Sequence, residues 1–182
     1  MFRHLRSLTA LAMALAVGGL LGSSALPMAV GAQPVVQATG PYIFSAKFVC
    51  GKQGADDPEL SVVRPGHYAT EVNIHNYHPT EVTLRKRVIP LVVEGQAIGR
   101  EPEYGKVQGK DGIVLPPDTA TMDDCYRLTR LLGLAPGTYV IGFLEIVSPL
   151  DLSVDAVYTV EGRAGANTDI EVQRVDGKLL HQ

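Results

Sequence analysis

The chain has 182 residues, 46% of them hydrophobic and 19% charged, and its formal net charge at pH 7 is −3. This balance excludes a disordered or low-complexity protein, because such chains cannot bury enough apolar surface to fold. An acidic chain also lacks the basic surface field that phosphate binding needs, so nucleic acid is not an expected partner. The length corresponds to one domain once the N-terminal segment is set aside.

The N-terminal segment has the composition of a cleavable secretory signal. Arg3 and Arg6 precede an apolar run, which is followed by small residues up to Ala32. A transmembrane anchor is the alternative, but the run of about 14 residues is shorter than the roughly 20 that a helix needs to cross a bilayer. We therefore predict cleavage of residues 1–32, a flexible lead-in over 33–41, no transmembrane segment after cleavage, and export to the periplasm or the medium.

Alternating apolar and polar residues, the pattern of half-buried strands, recur through the remaining chain. In the segment 81–93 the inward positions are apolar except for Lys86. In the last segment Ile170 and Val172 are predicted to be buried. The helical spacing of Leu128, Leu131 and Leu132 predicts one short helix over 126–133, and Asp123 or Asp124 could cap it. The predicted strands cover 42–50, 67–76, 81–93, 113–115, 119–125, 138–147, 151–160 and 167–175.

Seven or eight short strands separated by turn-forming residues predict an all-β fold, an antiparallel immunoglobulin-like β-sandwich with one short helix. We expect this domain to span 42–176 and to be followed by a disordered tail over 177–182. A β-barrel of similar strand number is the alternative. The glycine-rich stretch 95–112 has no periodic pattern of apolar residues. It predicts a long loop, which is either functional or tolerated without a function.

Cys50 and Cys125 are the only two cysteines of the chain. In an oxidising compartment an even pair is most simply read as a disulfide, which restricts the unfolded chain and so stabilises the fold. The pairing leaves neither thiol as a metal ligand or a nucleophile.

The sequence contains none of the common catalytic signatures. It has no GxSxG elbow, no glycine-rich phosphate loop, no HExxH pair, no EF-hand loop and no CxxC pair. We therefore predict a protein that is not an enzyme, with no catalytic residue and no cofactor. An enzyme with an unrecognised site in the 95–112 stretch is the alternative.

Polar side chains of two predicted strands, which we expect to be adjacent, form a candidate binding face. The outward positions of 67–76 and 81–93 carry groups that can donate or accept hydrogen bonds and pair by charge. The competing interpretation is a solvated sheet face with weak cross-strand ion pairs. The candidate residues are Glu71, Asn73, His75, Thr83, Arg85 and Arg87.

Three histidines on or beside the second predicted strand could supply nitrogen ligands to zinc or copper. His75 and His78 are three residues apart across a turn, and His67 lies at the other end of the strand. We expect an exposed strand residue at His75 and a turn residue at His78, and therefore predict no metal site. A metal- or small-ligand-binding module that uses these histidines is kept as an alternative function.

Three runs of the chain are distinctive as a set: 42–51 (YIFSAKFVCG), 64–76 (RPGHYATEVNIHN) and 152–159 (LSVDAVYT). Together they resemble a family of exported bacterial proteins of unknown function, whose overall pattern is similar to cell-adhesion-related immunoglobulin-like domains. The resemblance covers most of the chain after the signal. It implies the fold and the compartment, and it assigns no reaction, ligand or catalytic residue. At 76–79 the chain reads NYHP where the family often has Asn-Pro after the histidine, so this turn is altered.

These observations together predict an exported, non-enzymatic module that presents loops or a sheet face to another protein of the cell envelope. The signal and the single disulfide indicate the compartment. The missing catalytic signatures favour binding over chemistry.

Overall fold

The computed structural model describes residues 40–54, 63–100, 109–162 and 168–180. The predicted signal, its cleavage site and most of the predicted lead-in lie outside these residues. Within them the chain forms nine strands and one short helix, and all strand pairs are antiparallel. The elements are β1 Tyr42–Gln53, β2 Gly66–Asn76, β3 Val82–Val93, β4 Gly109–Leu115, β5 Thr119–Asp124, α1 Cys125–Leu131, β6 Val140–Ser148, β7 Ser153–Gly162, β8 Thr168–Arg174 and β9 Lys178–Leu179.

The strands form two sheets that β1 joins. The first sheet has the order β4-β3-β6-β1, and the short β9 pairs with the start of β1. In the second sheet β5 and β7 lie on either side of β2, and β8 follows β7 at the edge. β1 pairs with β6 as far as Cys50 and with β2 from Gly51 onward, so it passes from the first sheet into the second.

Glycine is required where β1 changes sheets. The φ angle of Gly51 is +89°, in the region that side chains with a Cβ rarely adopt. A Cβ at this position would also lie 2.6 Å from the carbonyl oxygen of Thr138. The passage between the sheets therefore depends on a residue without a side chain.

The hydrophobic core is shared by the two sheets. Alternate residues of a strand point to one face, and the inward-facing apolar residues of β1, β2, β3 and β6 are buried. One cluster of buried side chains includes Phe44 and Leu144 from the first sheet together with Ile74 and Val154 from the second. This confirms the predicted all-β fold with one short helix, while the immunoglobulin-like topology stays a prediction.

The predicted disulfide between Cys50 and Cys125 is formed. The two Cα atoms are 5.5 Å apart, and the bond links β1 to the first residue of α1. The carboxylate of Asp124 caps this helix by accepting a hydrogen bond of 2.8 Å from the backbone N–H of Arg127. Among the described residues, no helix combines the length and the apolarity needed to cross a membrane.

The structure differs from the sequence predictions in the bounds of the C-terminal tail and of the long loop. Residues 178–179, predicted to belong to a disordered tail, form β9, and the backbone N–H of Leu180 donates to the carbonyl of Pro41. The predicted loop over 95–112 is shorter, because β4 begins at Gly109 and pairs with β3. Pairing with a neighbouring strand orders both segments, although neither carries the alternation of a half-buried strand.

The predicted burial of Ile170 and Val172 is wrong. These side chains are 69% and 66% exposed, and all seven residues of β8 are exposed. Alternation along a strand shows which side chains share a face, but it does not show whether another sheet covers that face. No described residue covers either face of β8.

Candidate functional site

The predicted binding face is divided between the two sheets. β2 pairs with β1, β5 and β7, whereas β3 pairs with β4 and β6. Glu71, Asn73 and His75 therefore belong to the second sheet, and Arg85 and Arg87 belong to the first. The expectation that these strands are neighbours was wrong, because sequence order does not determine which strands pair.

On the first sheet, the two arginines have different surroundings. The guanidinium of Arg87 pairs with the carboxylate of Glu145 on the adjacent β6 at 2.7 Å. Arg85 is exposed, and so is Thr83 on the same face. An ion pair of this kind on a sheet surface contributes little to stability.

On the second sheet, the three polar residues are part of a larger surface, which we call the second-sheet face. Residues directly opposite one another in antiparallel strands point to the same side, so the strand register defines the members. They are Ala120, Met122 and Asp124 of β5, His67, Ala69, Glu71, Asn73 and His75 of β2, Ser153, Asp155, Val157, Thr159 and Glu161 of β7, and Thr168, Ile170, Val172 and Arg174 of β8.

Polar contacts occupy the middle of the second-sheet face. The amide of Asn73 donates to the Glu71 carboxylate at 2.8 Å. The guanidinium of Arg174 donates to the Ser153 hydroxyl at 2.9 Å. These contacts lie within and between neighbouring strands, so they organise the polar part of the face.

Strand β8 supplies the two most exposed large apolar side chains of the second-sheet face, Ile170 and Val172. Ile170 lies opposite Thr159, and Val172 lies opposite Val157. Within the described part of the chain, β8 pairs with β7 alone, so the backbone groups along its other edge have no strand partner. An edge strand with exposed apolar side chains is a surface on which another strand can pair.

The opposite side of β8 is acidic. Asp169 and Glu171 alternate with the apolar residues, and both are exposed. Glu171 lies opposite Tyr158, whose hydroxyl donates to the backbone carbonyl of Lys47 at 2.9 Å. Burial and the nearby charge of Glu171 raise the pKa of Tyr158 above its ordinary value, so this hydroxyl keeps its proton and its hydrogen bond at neutral pH.

The structure does not bring the three candidate histidines together. His67 pairs with Lys52 and Glu161 at one end of β2, and His75 lies 3.4 Å from the Asp118 carboxylate toward the other end. The Nε2 atom of His78 is 2.6 Å from the backbone carbonyl oxygen of Asp151. In the described ranges, no group of three or more histidine, cysteine, aspartate or glutamate residues is arranged to hold a metal ion.

A buried cluster of charged side chains lies between the two sheets. None of its members was among the candidate residues. The Lys86 ammonium is 2.9 Å from each carboxylate oxygen of Asp123 and 3.4 Å from Oδ2 of Asp111. The Asp111 oxygen also accepts a hydrogen bond of 2.6 Å from Arg127. We call Lys86, Asp111, Asp123 and Arg127 the Lys86 cluster.

Burial in the Lys86 cluster decreases from Lys86 and Asp123 toward the surface. The side chains of Lys86 and Asp123 are 2% and 1% exposed, that of Asp111 is 19% exposed, and Arg127 is further exposed. Burial by itself raises the pKa of the Asp111 carboxyl, but the hydrogen bond from Arg127 and the charges of Lys86 and Arg127 outweigh burial and lower it. Asp111 is therefore ionised at neutral pH.

One signal in the sequence indicated the Lys86 cluster. Lys86 occupies an inward position of β3, and a buried charge requires a partner of opposite charge. The partners could not be assigned, because Asp123 and Asp124 are both candidates for capping the helix and Asp111 falls in the predicted loop. The structure assigns Asp124 to the cap and Asp123 to Lys86.

Comparison with known proteins gives no family for the chain. No protein-family model matches it, and no curated protein matches it. Among solved structures it is similar to the crystal structure of Thermotoga maritima 1070, with 10% sequence identity and a TM-score of 0.43, over 80% of this chain and 97% of that chain. A likeness this distant carries no argument about function.

Proposed function

We propose that the protein is an exported, non-enzymatic module of a bacterial cell envelope, which binds an extended segment of another envelope protein along strand β8. The observation that carries this proposal is a strand with every residue exposed, with Ile170 and Val172 on one side and an open edge. Addition of a strand to such an edge is an established mode of peptide recognition, in which backbone hydrogen bonds provide affinity and alternate side chains provide specificity.

The alternation along β8 defines the chemistry of the partner. A strand added beside β8 places its residues opposite Ile170 and Val172 on one side and opposite Asp169 and Glu171 on the other. The best-matched segment therefore alternates apolar with basic residues. A second copy of β8 fits less well, because the antiparallel register that aligns Ile170 with Val172 also places Glu171 opposite Glu171.

Three observations support export and a role without catalysis. Disulfides such as Cys50–Cys125 persist mainly outside the reducing cytosol. The first 32 residues have the order of a secretory signal. The sequence carries none of the common catalytic signatures. The resemblance to exported immunoglobulin-like proteins agrees with this compartment.

A peptide-binding experiment tests the choice of partner. Fluorescence anisotropy would be measured with a labelled peptide that alternates valine with lysine and with a second peptide that alternates valine with glutamate. We expect the protein to bind the lysine peptide more tightly than the glutamate peptide. Equal affinity for the two peptides would contradict the proposed charge matching.

Substitutions test the location of binding. The double variant Ile170→Asp/Val172→Asp should lose affinity for the lysine peptide, because it places charge on the apolar side of β8. The matched control is Val114→Asp, since Val114 is 54% exposed on β4 at the edge of the first sheet. Binding that survives in the double variant, or is lost in the control, would show that the peptide does not bind along β8.

A second experiment uses the natural partner. The protein would be immobilised and exposed to envelope extract, and retained proteins would be compared between the natural chain and the double variant. A partner retained by the natural chain alone supports the proposal. A homodimer in solution that the double variant dissociates would show instead that β8 binds a second copy of this chain.

A further inference from the structure

Lys86 and Asp123 bring an amine and a carboxyl group together in the core. The Nζ atom of Lys86 is 2.9 Å from both oxygens of Asp123, so it lies on the plane that bisects the carboxyl group. The two residues come from β3 of the first sheet and β5 of the second sheet. A second carboxylate, that of Asp111 on β4, lies 3.4 Å from the same amine.

We propose that Lys86 and Asp123 condense into an intramolecular isopeptide bond, with Asp111 as the group that transfers the proton. This inference is independent of the proposed binding function. It requires no oxidant, reductant or cofactor, because the reaction removes one molecule of water from two groups of the same chain.

The condensation conserves every atom and releases one molecule of water. The ammonium of Lys86 gives one proton to the Asp111 carboxylate, and the resulting neutral amine attacks Cγ of Asp123. A bond forms between Nζ and Cγ, and one bond from Cγ to oxygen breaks. The departing oxygen takes the proton held by Asp111 and a second proton from the nitrogen, and leaves as water. Asp111 returns to its ionised form, and the amide nitrogen keeps one hydrogen.

Two physical effects favour the amide in this place. In water, an amine and a carboxylate are stabilised as separate hydrated ions, but Lys86 and Asp123 are almost fully buried and have lost that hydration. The fold also holds the two groups together, and well-oriented intramolecular reactions reach effective concentrations on the order of 10⁵–10⁸ M. Condensation removes two buried charges and retains a polar amide.

Asp111 is placed between this dry site and the surface. Its carboxylate contacts Lys86 on one side and Arg127 on the other, and it is the more exposed of the two acids. The hydrogen bond from Arg127 orients Asp111, whose Oδ2 lies 3.4 Å from Nζ of Lys86 and can carry a proton from the amine to the departing oxygen. Leu84 and Val88, the inward neighbours of Lys86 on β3, are fully buried and limit access of water to the amine.

The bond would add a second covalent link to the same part of the chain. Asp123 lies two residues before Cys125, which is already joined to Cys50. The disulfide ties the start of α1 to β1, and the isopeptide bond would tie the end of β5 to β3. Both links would join this segment, whose β5 belongs to the second sheet, to strands of the first sheet.

Mass spectrometry tests the proposal directly. The folded protein would be purified, its N-terminus determined, and its intact mass measured after reduction of the disulfide. We expect a mass lower than that of the reduced sequence by one water, and a branched peptide after proteolysis that joins Lys86 to Asp123. A full mass, with Lys86 and Asp123 recovered on separate peptides, would overturn the proposal.

Variants separate the reaction from the fold. Asp111→Asn should retain the full mass, because asparagine has the size of aspartate but does not accept the proton. Asp111→Glu keeps a carboxylate and should lose one water as the natural chain does. Glu145→Gln, which alters the surface pair with Arg87, is the matched control and should lose water as the natural chain does. Disulfide formation and circular dichroism show that each variant is folded. An unchanged loss of water in Asp111→Asn would overturn the role of Asp111.

Discussion

The Lys86 cluster and strand β8 depart from the usual distribution of residues in opposite ways. In the cluster, a lysine and an aspartate are buried between two sheets, whereas in β8 an isoleucine and a valine face solvent. The buried charges are tolerated because each has a partner within hydrogen-bond distance. The apolar side chains of β8 have no such compensation within the described chain, so they are available to a partner. Departures from simple patterning of either kind mark the positions where a fold serves something besides its own stability.

The largest expected effect comes from removing one member of the buried pair. Asp123→Ala leaves the Lys86 ammonium buried without its main partner and also removes the proposed amide. We therefore expect a loss of at least about 3–5 kcal/mol in the free energy of unfolding. Urea denaturation at neutral pH measures this loss. Glu81→Ala, at an exposed position before β3, is the control and should change the free energy by less than about 0.5 kcal/mol. A loss below about 1 kcal/mol in Asp123→Ala would show that the pair does not hold the sheets together.

The second prediction concerns the disulfide beside the cluster. Cys50→Ala/Cys125→Ala removes a bond between residues 75 positions apart, and we expect the free energy of unfolding to fall by about 2–5 kcal/mol. Strand β8 lies outside the closed loop. Hydrogen exchange should therefore accelerate more in β5 and α1 than in β8. Equal acceleration of hydrogen exchange in β5, α1 and β8 would mean that the disulfide stabilises the whole domain equally.

The third prediction is a dependence on pH. The folded-state pKa of Asp111 is lowered, so its contribution to stability is present above the ordinary carboxyl pKa of about 4 and is lost as the pH falls through the lower folded-state value. Between pH 7 and pH 3, Asp111→Asn should lose less stability than the natural chain does. Urea denaturation at a series of pH values gives this difference, and parallel curves for the two chains would contradict it.

The smallest effect on stability is expected at β8. Ile170→Thr and Val172→Thr should each change the free energy of unfolding by less than about 0.5 kcal/mol, because both side chains are already exposed. The matched buried substitution is Val154→Thr on β7, which places a hydroxyl in the core and should cost about 1–3 kcal/mol. Thermal unfolding compares the three variants. A large loss at Ile170 or Val172 would show that β8 belongs to the structural core.

Much of the fold could be predicted because its determinants are local. Alternation along β1, β2, β3 and β7 identified the strands and most of their inward residues, since successive side chains of a strand point to opposite faces. The lone cysteine pair identified the disulfide. The helix was predicted from the spacing of Leu128, Leu131 and Leu132. Of the two acids before it, Asp124 forms the cap.

The candidate site was only partly predictable. Glu71, Asn73 and His75 were correctly placed on one outward face, but Arg85 and Arg87 were placed beside them because β2 and β3 are consecutive in the sequence. β9 and the first half of β4 were missed because pairing orders them, β9 with the distant β1 and β4 with β3, and not an alternation of their own.

By itself the sequence determined the element types and the faces of the strands, because these depend on residues near one another. It also determined the disulfide, because two cysteines allow a single pairing. Only the tertiary structure decided which strands are neighbours, that both sides of β8 are exposed and which acid Lys86 contacts. Those outcomes depend on contacts between residues far apart in the chain, such as Lys86 and Asp123. Local patterns restrict such contacts to a face without selecting the partner on it.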